Sequence, residues 1–447
     1  MRGIAGANLT DKIAGAYGRA FGTFLRNRQR REQETLSVCI GRDSRPSGQM
    51  LNSAVIGGLR AAGINVIDLG IVTTPGVGIM IRELGQSGGV VITGSHNPTE
   101  YNGIKLLLDN GVAPPPDTAE QIKRCFFNKE FSVVDSRNYG KVTSNDQTDA
   151  AHIAKVLSIV DLQTIAAERL KVALDSVNGA GGRVTKKMLA ELGCKVVAIN
   201  DEPTGIFAHA PEPTVENVTT LCELVKNEKA SIGFAQDPDG DRLALVDESG
   251  AYIGEEYTLA LSAKYVFGKK TGTAATNLST SRMIDDIALR AGGQVIRTPV
   301  GEANVAAAML EHNCIIGGEG NGGVIDLRVS PIRDSLVGIA LVLQLMTETG
   351  KTVSQLREEI GGYYMVKDKF PADESEAAQI LKAAQRSFVN ARLDTTDGCR
   401  FDFDDGWLHL RASNTEPVMR IIVEAKDQRT AQKYIDAVSN IVKKIIA

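Results

Sequence analysis

Apolar positions along the chain follow two rhythms, and one junction between them occurs three times. A helical stretch closes on Ala or Leu followed by glycine, and a β-branched pair begins three residues after that glycine: LRAAGINVIDLG, LAELGCKVVAIN and LRAGGQVIRTPVG. Gly63, Gly193 and Gly292 stand where a left-handed helix cap is needed, and Val66 and Ile67, Val196 and Val197, and Val295 and Ile296 begin strands. Each junction is preceded by a strand-like segment, SVCIGRDSRPSG, KVALDSVNGAGG or TAATNLSTS, the first two of which run into a glycine-containing loop. Three related α/β units are expected. The pattern then changes. ESEAAQILKAAQRSFVNAR reads as an amphipathic helix, FDFDDGWLHLRAS as strand, turn and strand, and QRTAQKYIDAVSNIVKKIIA as a closing helix.

Polar connecting stretches fall near residues 137–150, 250–256 and 362–370. They divide the chain into three similar mixed-sheet α/β domains, 1–140, 150–254 and 255–365, and a smaller α+β domain, 366–447. A length of 447 residues suits this count, since domains run at about 100–200 residues.

Composition narrows the function by exclusion. Charged residues make up 23% and hydrophobic ones 43%, close to globular averages, so neither disorder nor a fibrous repeat is indicated. A net charge of −4 with dispersed Lys and Arg gives no footprint for nucleic acid or an anionic membrane, so any bound anion is held locally. Cys39, Cys125, Cys194, Cys222, Cys314 and Cys399 are far apart and form no C-x-x-C pair, which disfavours zinc ribbons and a dense disulfide framework. MRGIAGANLTDK lacks the h-region of a signal peptide, and SLVGIALVLQLM is too short to span a bilayer. The expectation is a cytoplasmic protein with no nucleic-acid or membrane partner.

Four loops carry candidate chemistry. In VVITGSHNP, Gly94 permits a tight bend and Pro98 discourages helix entry, which leaves Ser95 at a strand end. No G-x-S-x-G elbow surrounds it, so a serine esterase is disfavoured; alone, the segment reads better as a polar turn than as a functional loop. In FAQDPDGDRLALVDESG, Asp237, Asp239 and Asp241 alternate, a density of carboxylates that a hard divalent cation would join. An EF-hand is excluded because Arg242 occupies the position where that loop needs glycine and because both flanks look like strands. Arg242 is also suited to a phosphate oxygen.

The third loop, IIGGEGNGGVI, surrounds Glu319 and Asn321 with glycines, a carboxylate and an amide suited to sugar hydroxyls. It completes no G-x-G-x-x-G or Walker pattern, so nucleotide binding is weakly supported. The fourth, LHLRASNTEPVMR, offers Arg411, Ser413, Asn414 and Thr415, a guanidinium, hydroxyls and turn amides suited to a phosphate dianion. A serine, an acidic cluster, a sugar-like loop and a phosphate loop, one in each segment, point to chemistry on a phosphorylated sugar.

The order TGSHNP, DPDGDR, GEGNGG and RASNTEP resembles, over essentially the whole chain, the α-D-phosphohexomutase family. The resemblance implies three α/β domains and a smaller fourth around one central cleft. It implies a phosphoserine at Ser95, and one Mg²⁺ held by Asp237, Asp239 and Asp241 with Ser95. Arg242 would contact substrate or phosphoserine, and Lys105 would do acid–base work with His96 as a second candidate. Near Mg²⁺ and Arg, a lowered lysine pKa is expected. Arg2 would bind substrate, Glu319 and Asn321 its sugar hydroxyls, and Arg411, Ser413, Asn414 and Thr415 its non-reacting phosphate. The implied partners are small-molecule hexose phosphates, with a hexose 1,6-bisphosphate as primer, and the implied reaction is hexose 6-phosphate to hexose 1-phosphate.

Two departures stand out. The chain starts at Met1-Arg2-Gly3, where relatives lead into G-x-R-G, so a shortened first strand is expected. Glu302, in TPVGEANV, stands where relatives often have a basic or other polar residue. GEGNGG resembles the loop of archaeal-type phosphoglucosamine mutases, which makes glucosamine phosphate the expected sugar and mannose or glucose phosphate the alternative. A non-catalytic sugar-phosphate sensor and a metal-dependent phosphatase are rivals from other classes. Arg42, Asp43 and Arg45, in GRDSRPSG, are read as structural charge pairing.

Overall fold

The computed structural model describes residues 1–28, 35–132, 134–413 and 417–446. The three glycines do what the pattern requires. Gly63, Gly193 and Gly292 have φ of +79°, +72° and +70°, and follow the helices Gly48–Ala61, Gly181–Glu191 and Met283–Arg290. The chain then enters the strands Asn65–Ile71, Lys195–Ile199 and Gln294–Thr298. A residue with a Cβ in the left-handed region would be strained there, so glycine fixes where each helix stops.

Those junctions lie at the same place in three sheets of one design. In the first, the strands run Tyr101–Leu108, Gly88–Ile92, Ser37–Arg42, Asn65–Ile71, with Arg2–Ile4 added at one edge and Val142–Ser144 at the other. The second runs Leu243–Val246, Ile232–Gln236, Lys171–Asp175, Lys195–Ile199, and the third Gly323–Ile325, Ile316–Glu319, Thr273–Asn277, Gln294–Thr298. In each, the four equivalent strands are parallel except the first-named, a return strand that pairs antiparallel with its neighbour. A parallel strand followed at once by an antiparallel partner needs a short connection, and each of those connections is one of the candidate loops.

The N-terminal strand is short, three residues, and pairs Arg2 with Gly103. The fourth sheet is wholly antiparallel, in the order Tyr364–Pro371, Val418–Ala425, Gly406–Ala412, Cys399–Phe403, Arg392–Asp394. Helices Glu374–Ser387 and Gln428–Ile446 pack on it around Phe401, Leu408, Leu410 and Val423. The architecture is three α/β domains and a C-terminal α+β domain.

SLVGIALVLQLM lies in helix Ser335–Thr349, whose residues 335–346 are all buried. Among the described residues no single helix is long and apolar enough to cross a membrane.

Candidate active site

Strand Gly88–Ile92 is buried throughout and stops at Thr93, where the chain must clear a buried arginine. A Cβ on Gly94 would lie 2.7 Å from Arg45 Cζ. Arg45 is 1% exposed; its Nε donates to Asp43 Oδ2 at 3.0 Å, and its guanidinium donates to the carbonyls of Ser95, Asn97, Pro98 and Tyr101. Charge pairing between Arg45 and Asp43 is as the sequence suggested, but Arg45 also gathers the serine loop's carbonyls. Arg42 takes no part in that pair and donates to Gln49 Oε1 and the Asp43 carbonyl.

Ser95 is held at φ +50°, a strained conformation for a residue with a Cβ, and is 2% exposed. Its Oγ donates to Asp237 Oδ2 at 3.2 Å, and His96 Nδ1 lies 3.4 Å from the Ser95 Oγ. Burial, reinforced by Arg242 and Arg2, pushes the His96 imidazole down to about 3, so the ring is neutral at neutral pH. Its Nε2 is 3.9 Å from Glu212 Oε1, which also accepts from Arg242 Nη1 at 3.2 Å.

The acidic loop connects Ile232–Gln236 to its return strand, and its three carboxylates are fully buried. Asp237 Oδ1 accepts the backbone N–H of Asp241 and Arg242. Asp239 Oδ2 accepts from Thr74 Oγ1 at 2.6 Å and Lys105 Nζ at 2.7 Å. Asp241 Oδ2 accepts from Arg333 Nη2 at 2.6 Å and Lys105 at 3.3 Å. The other oxygens, Asp239 Oδ1 and Asp241 Oδ1, are buried with no hydrogen-bond partner. One oxygen from each of the three aspartates can be chosen so that all lie within 4.8 Å of one another. Two buried acceptors left open, on carboxylates that approach one another this closely, fit a hard, oxygen-seeking divalent cation.

The triad's electrostatics follow from this arrangement. Burial and the neighbouring Asp239 and Asp241 raise Asp237, whereas Asp241 is held far below its usual range, against burial, by Arg333, Lys105 and Arg242. Lys105 departs from expectation: burial alone would lower its pKa, but Asp239 and Asp241 raise it above its ordinary value. The lowering expected from Mg²⁺ and arginine does not hold because Lys105 touches two carboxylates, both far from it in sequence. Arg2 is lowered by burial, with Asp239, Arg242 and Asp241 close enough to act on it. A cavity of about 440 Å³ beside Lys105 has Arg2, Thr74 and Glu302 in its wall.

The glycine-rich loop joins Ile316–Glu319 to Gly323–Ile325 and meets the start of the return strand that leaves the acidic loop, the Leu243 N–H donating to the Gly322 carbonyl. Glu319 is 3% exposed and fully engaged. Its Oε1 accepts from Asn277 Nδ2 at 2.7 Å and Gly301 N at 3.1 Å, its Oε2 from Arg333 Nη1 at 2.6 Å and Asn321 Nδ2 at 3.5 Å. The sequence expected a carboxylate presented to sugar hydroxyls; the fold has bound it to four donors. Glu302 accepts the Arg333 backbone N–H at 2.7 Å.

The fourth loop is reached through one more carboxylate. Arg411 Nε donates to Asp397 Oδ2 at 3.1 Å, and Asp397 Oδ2 accepts the Val300 N–H at 2.9 Å. Ser413 donates its N–H to the Val418 carbonyl. Asn414 and Thr415 lie outside the described residues. A chain of contacts therefore links all four loops: Arg411, Asp397, Val300 and its neighbour Gly301, Glu319, Arg333, Asp241, Lys105 and Asp239, with Asp237 of the same acidic loop meeting Ser95 of the serine loop. Arg333 and Asp397 were missed in the sequence. Asp397 had no signal. Arg333 had one, an Arg-Asp pair just before an apolar run, with Asp334 capping the helix by accepting from the Leu336 and Val337 amides.

Comparison with known proteins gives the same order of parts. Phosphoglucomutase/phosphomannomutase family models match in series: alpha/beta/alpha domain I at residues 1–133, domain II at 150–250, domain III at 254–363, and the C-terminal domain at 365–441. A Thermococcus kodakarensis protein named phosphoglucomutase/phosphomannomutase is 40% identical over 98% of this chain and 95% of its own length. A second protein of that organism, named "Probable phosphoglucosamine mutase", is 34% identical over 100% of this chain and 98% of its own. The crystal structure of a Burkholderia thailandensis phosphoglucomutase/phosphomannomutase family protein superposes with a TM-score of 0.88 at 27% identity, covering 100% of this chain and 96% of that one. The chain belongs to the phosphoglucomutase/phosphomannomutase family, the α-D-phosphohexomutases, an isomerase family.

Proposed function

We propose that this protein interconverts hexose 6-phosphate and hexose 1-phosphate through a phosphoserine at Ser95 and a hexose 1,6-bisphosphate intermediate, which also serves as primer. The observation that carries the reading is the pair of open, buried oxygens on Asp239 and Asp241 beside a serine whose hydroxyl already contacts Asp237. Asp237, Asp239 and Asp241 would hold one Mg²⁺ with Ser95; when bound, it supplies charge neutralisation at the phosphoryl oxygens.

The chain's own residues do the rest. Ser95 gives its phosphoryl group to the free hydroxyl of the substrate monophosphate and takes one back from the other end of the bisphosphate, so ester phosphate is conserved. Lys105, kept protonated by the aspartates it touches, serves as the acid, and neutral His96 beside Ser95 is the group that accepts the proton of the attacking hydroxyl. Arg242 and Arg2 place positive charge next to the triad. Glu319 and Asn321 bind sugar hydroxyls, which for Glu319 requires exchanging donors it already has. Arg411, Ser413, Asn414 and Thr415 bind the non-reacting phosphate.

On the sugar, the greater identity to the Thermococcus kodakarensis phosphoglucomutase/phosphomannomutase, 40% against 34% for that organism's glucosamine-named protein, supports glucose or mannose phosphate. Glucosamine phosphate, the sequence expectation, stays as the second reading on the strength of the GEGNGG loop.

The test is a panel of glucose, mannose and glucosamine 6-phosphates with Mg²⁺, with and without EDTA and the bisphosphate primer. Isomerisation is expected to be abolished by EDTA and to fall by at least about a thousandfold in Ser95→Ala. Normal isomerisation by Ser95→Ala would sink the mechanism. Release of inorganic phosphate would assign a phosphatase, and binding without turnover a sensor. A glucosamine rate far above the other two would restore the second reading.

A further inference from the structure

One buried side chain near the proposed site has no role in the mechanism above. Arg333 is 7% exposed, and its guanidinium lies between two loops from different sheets. Nη2 donates to Asp241 Oδ2 and Nη1 to Glu319 Oε2, each at 2.6 Å, while its backbone N–H is fixed by Glu302. Nε is buried with no hydrogen-bond partner and lies 3.7 Å from Glu302 Oε1. A planar guanidinium serves the two carboxylates from separate nitrogens at a fixed separation, a spacing that a single ammonium nitrogen does not reproduce.

The neighbouring glycine shows that the backbone is built around this side chain. A Cβ on Gly323 would lie 2.1 Å from Arg333 Cδ and 2.8 Å from Cγ. Gly323 does not have a left-handed φ, so the close approach of Arg333, not turn geometry, requires glycine there.

We propose that Arg333 is a positioning residue that joins the acidic loop to the glycine-rich loop, so that Asp241 keeps its open oxygen aimed at the cation position only while Glu319 holds the other side of the guanidinium. The inference rests on the metal reading of the triad given above. It goes beyond that reading in making cation affinity depend on a residue of the sugar loop that touches no aspartate. Asp241 Oδ2 is occupied by Arg333 and Lys105, which leaves Oδ1 as the open ligand. Loosening Arg333 frees the carboxylate to rotate and offers the cation a less ordered set.

The experiment is a double-mutant cycle read as Mn²⁺ affinity of the full-length chain, with no sugar present, by calorimetry. Glu319→Gln is expected to weaken Mn²⁺ binding about fivefold in the native background and by less than about twofold in Arg333→Lys. Gly323→Ala leaves every charge in place but displaces the guanidinium, and is expected to weaken Mn²⁺ severalfold in a chain with a lowered melting temperature that still unfolds in one cooperative transition. An equal effect of Glu319→Gln in both backgrounds would mean charge acting through space, and would overturn the proposal. Native Mn²⁺ affinity in Gly323→Ala would overturn it as well. Should Arg333→Lys fail to fold, Gly323→Ala decides alone. Loss of all Mn²⁺ binding by the native chain would instead remove the metal reading itself.

Discussion

The seam between the second and third α/β domains and the seam between the third and fourth domains are built from different interactions. Across the first, one continuous apolar cluster contains Val156, Ile165 and Leu174 together with Leu336, Ile339 and Leu341. Across the second, the contacts are directed and polar. Arg282 donates its N–H to Glu424, Arg400 donates to the Leu278 carbonyl, Ser279 meets His409, Val300 meets Asp397, and Lys367 meets Glu255 and Glu256. An apolar seam cannot open without exposing area at about 25 cal/mol per Å². A polar seam exchanges its hydrogen bonds for water at a net cost of about 0.5–1.5 kcal/mol each. The acidic and glycine-rich loops therefore sit across a rigid joint, and Arg411 sits on the domain whose attachment is cheap to loosen.

The strongest way to break this comparison is to cut into the apolar seam. Leu341 is fully buried in helix Ser335–Thr349, which packs against Leu162–Glu168 of the second domain. Leu341→Ala removes its packing and leaves a cavity, and is expected to cost about 2–5 kcal/mol in denaturant unfolding. A loss below about 1 kcal/mol would show that the seam is not the structural joint described. Substrate affinity at low temperature should change little, because Leu341 lies about 9 Å along its helix from Ser335, whose hydroxyl meets the Gly240 carbonyl of the acidic loop.

Much of this fold was legible because its signals are local. A glycine that must be left-handed, followed by β-branched residues, marks a helix end and a strand start without any knowledge of the rest of the chain, and Gly63, Gly193 and Gly292 did so three times. The return strands were not foreseen as a shared device, since a short apolar run such as LALV does not reveal the direction of its partner. In the site, Asp237, Asp239 and Asp241 were visible as a charge density that demands a counter-ion. The state of Lys105 and of Glu319 was not, because each is set by residues far away in sequence: Asp239 and Asp241 for the one, Asn277, Gly301 and Arg333 for the other. Chemistry repeated within a loop is readable, and chemistry completed between loops has to be seen in space.

The polar seam can be probed by pH. His409 is fully buried; its Nε2 is 2.7 Å from the Asp397 carbonyl and its Nδ1 2.9 Å from Ser279 Oγ. A carbonyl only accepts, so Nε2 carries the proton and Nδ1 accepts from Ser279. Burial, with Arg400 and Arg411 nearby, pushes the imidazole down from 6.5 to about 4. The unfolded chain then binds the extra proton first, so stability from neutral His409 is complete above about pH 6.5 and is lost as pH falls toward 4. His409→Asn removes that titration. The stability difference between native and variant, measured by melting from pH 7.5 to 5, should shrink with falling pH by about 1–3 kcal/mol. A difference that stays constant would mean that this group does not titrate against the seam.

The smallest stability effect is expected where the seam touches the sugar loop. Lys367 Nζ lies 2.8 Å from Glu255 Oε1, 3.1 Å from Glu256 Oε1 and 3.4 Å from the Gly320 carbonyl, so a side chain of the fourth domain reaches into GEGNGG. Its side chain is 41% exposed, and solvent screens such pairs to about 0–1 kcal/mol. Lys367→Met should leave unfolding midpoints almost unchanged. Its effect should fall instead on the placing of the fourth domain over the sugar loop, raising KM for hexose 6-phosphate severalfold while kcat moves less than about twofold. If the substitution lowered kcat with KM intact, Lys367 would be acting on the chemical step. If it lowered the melting temperature as much as Leu341→Ala, the two seams would carry equal weight, and the fourth domain would be as firmly held as the other three.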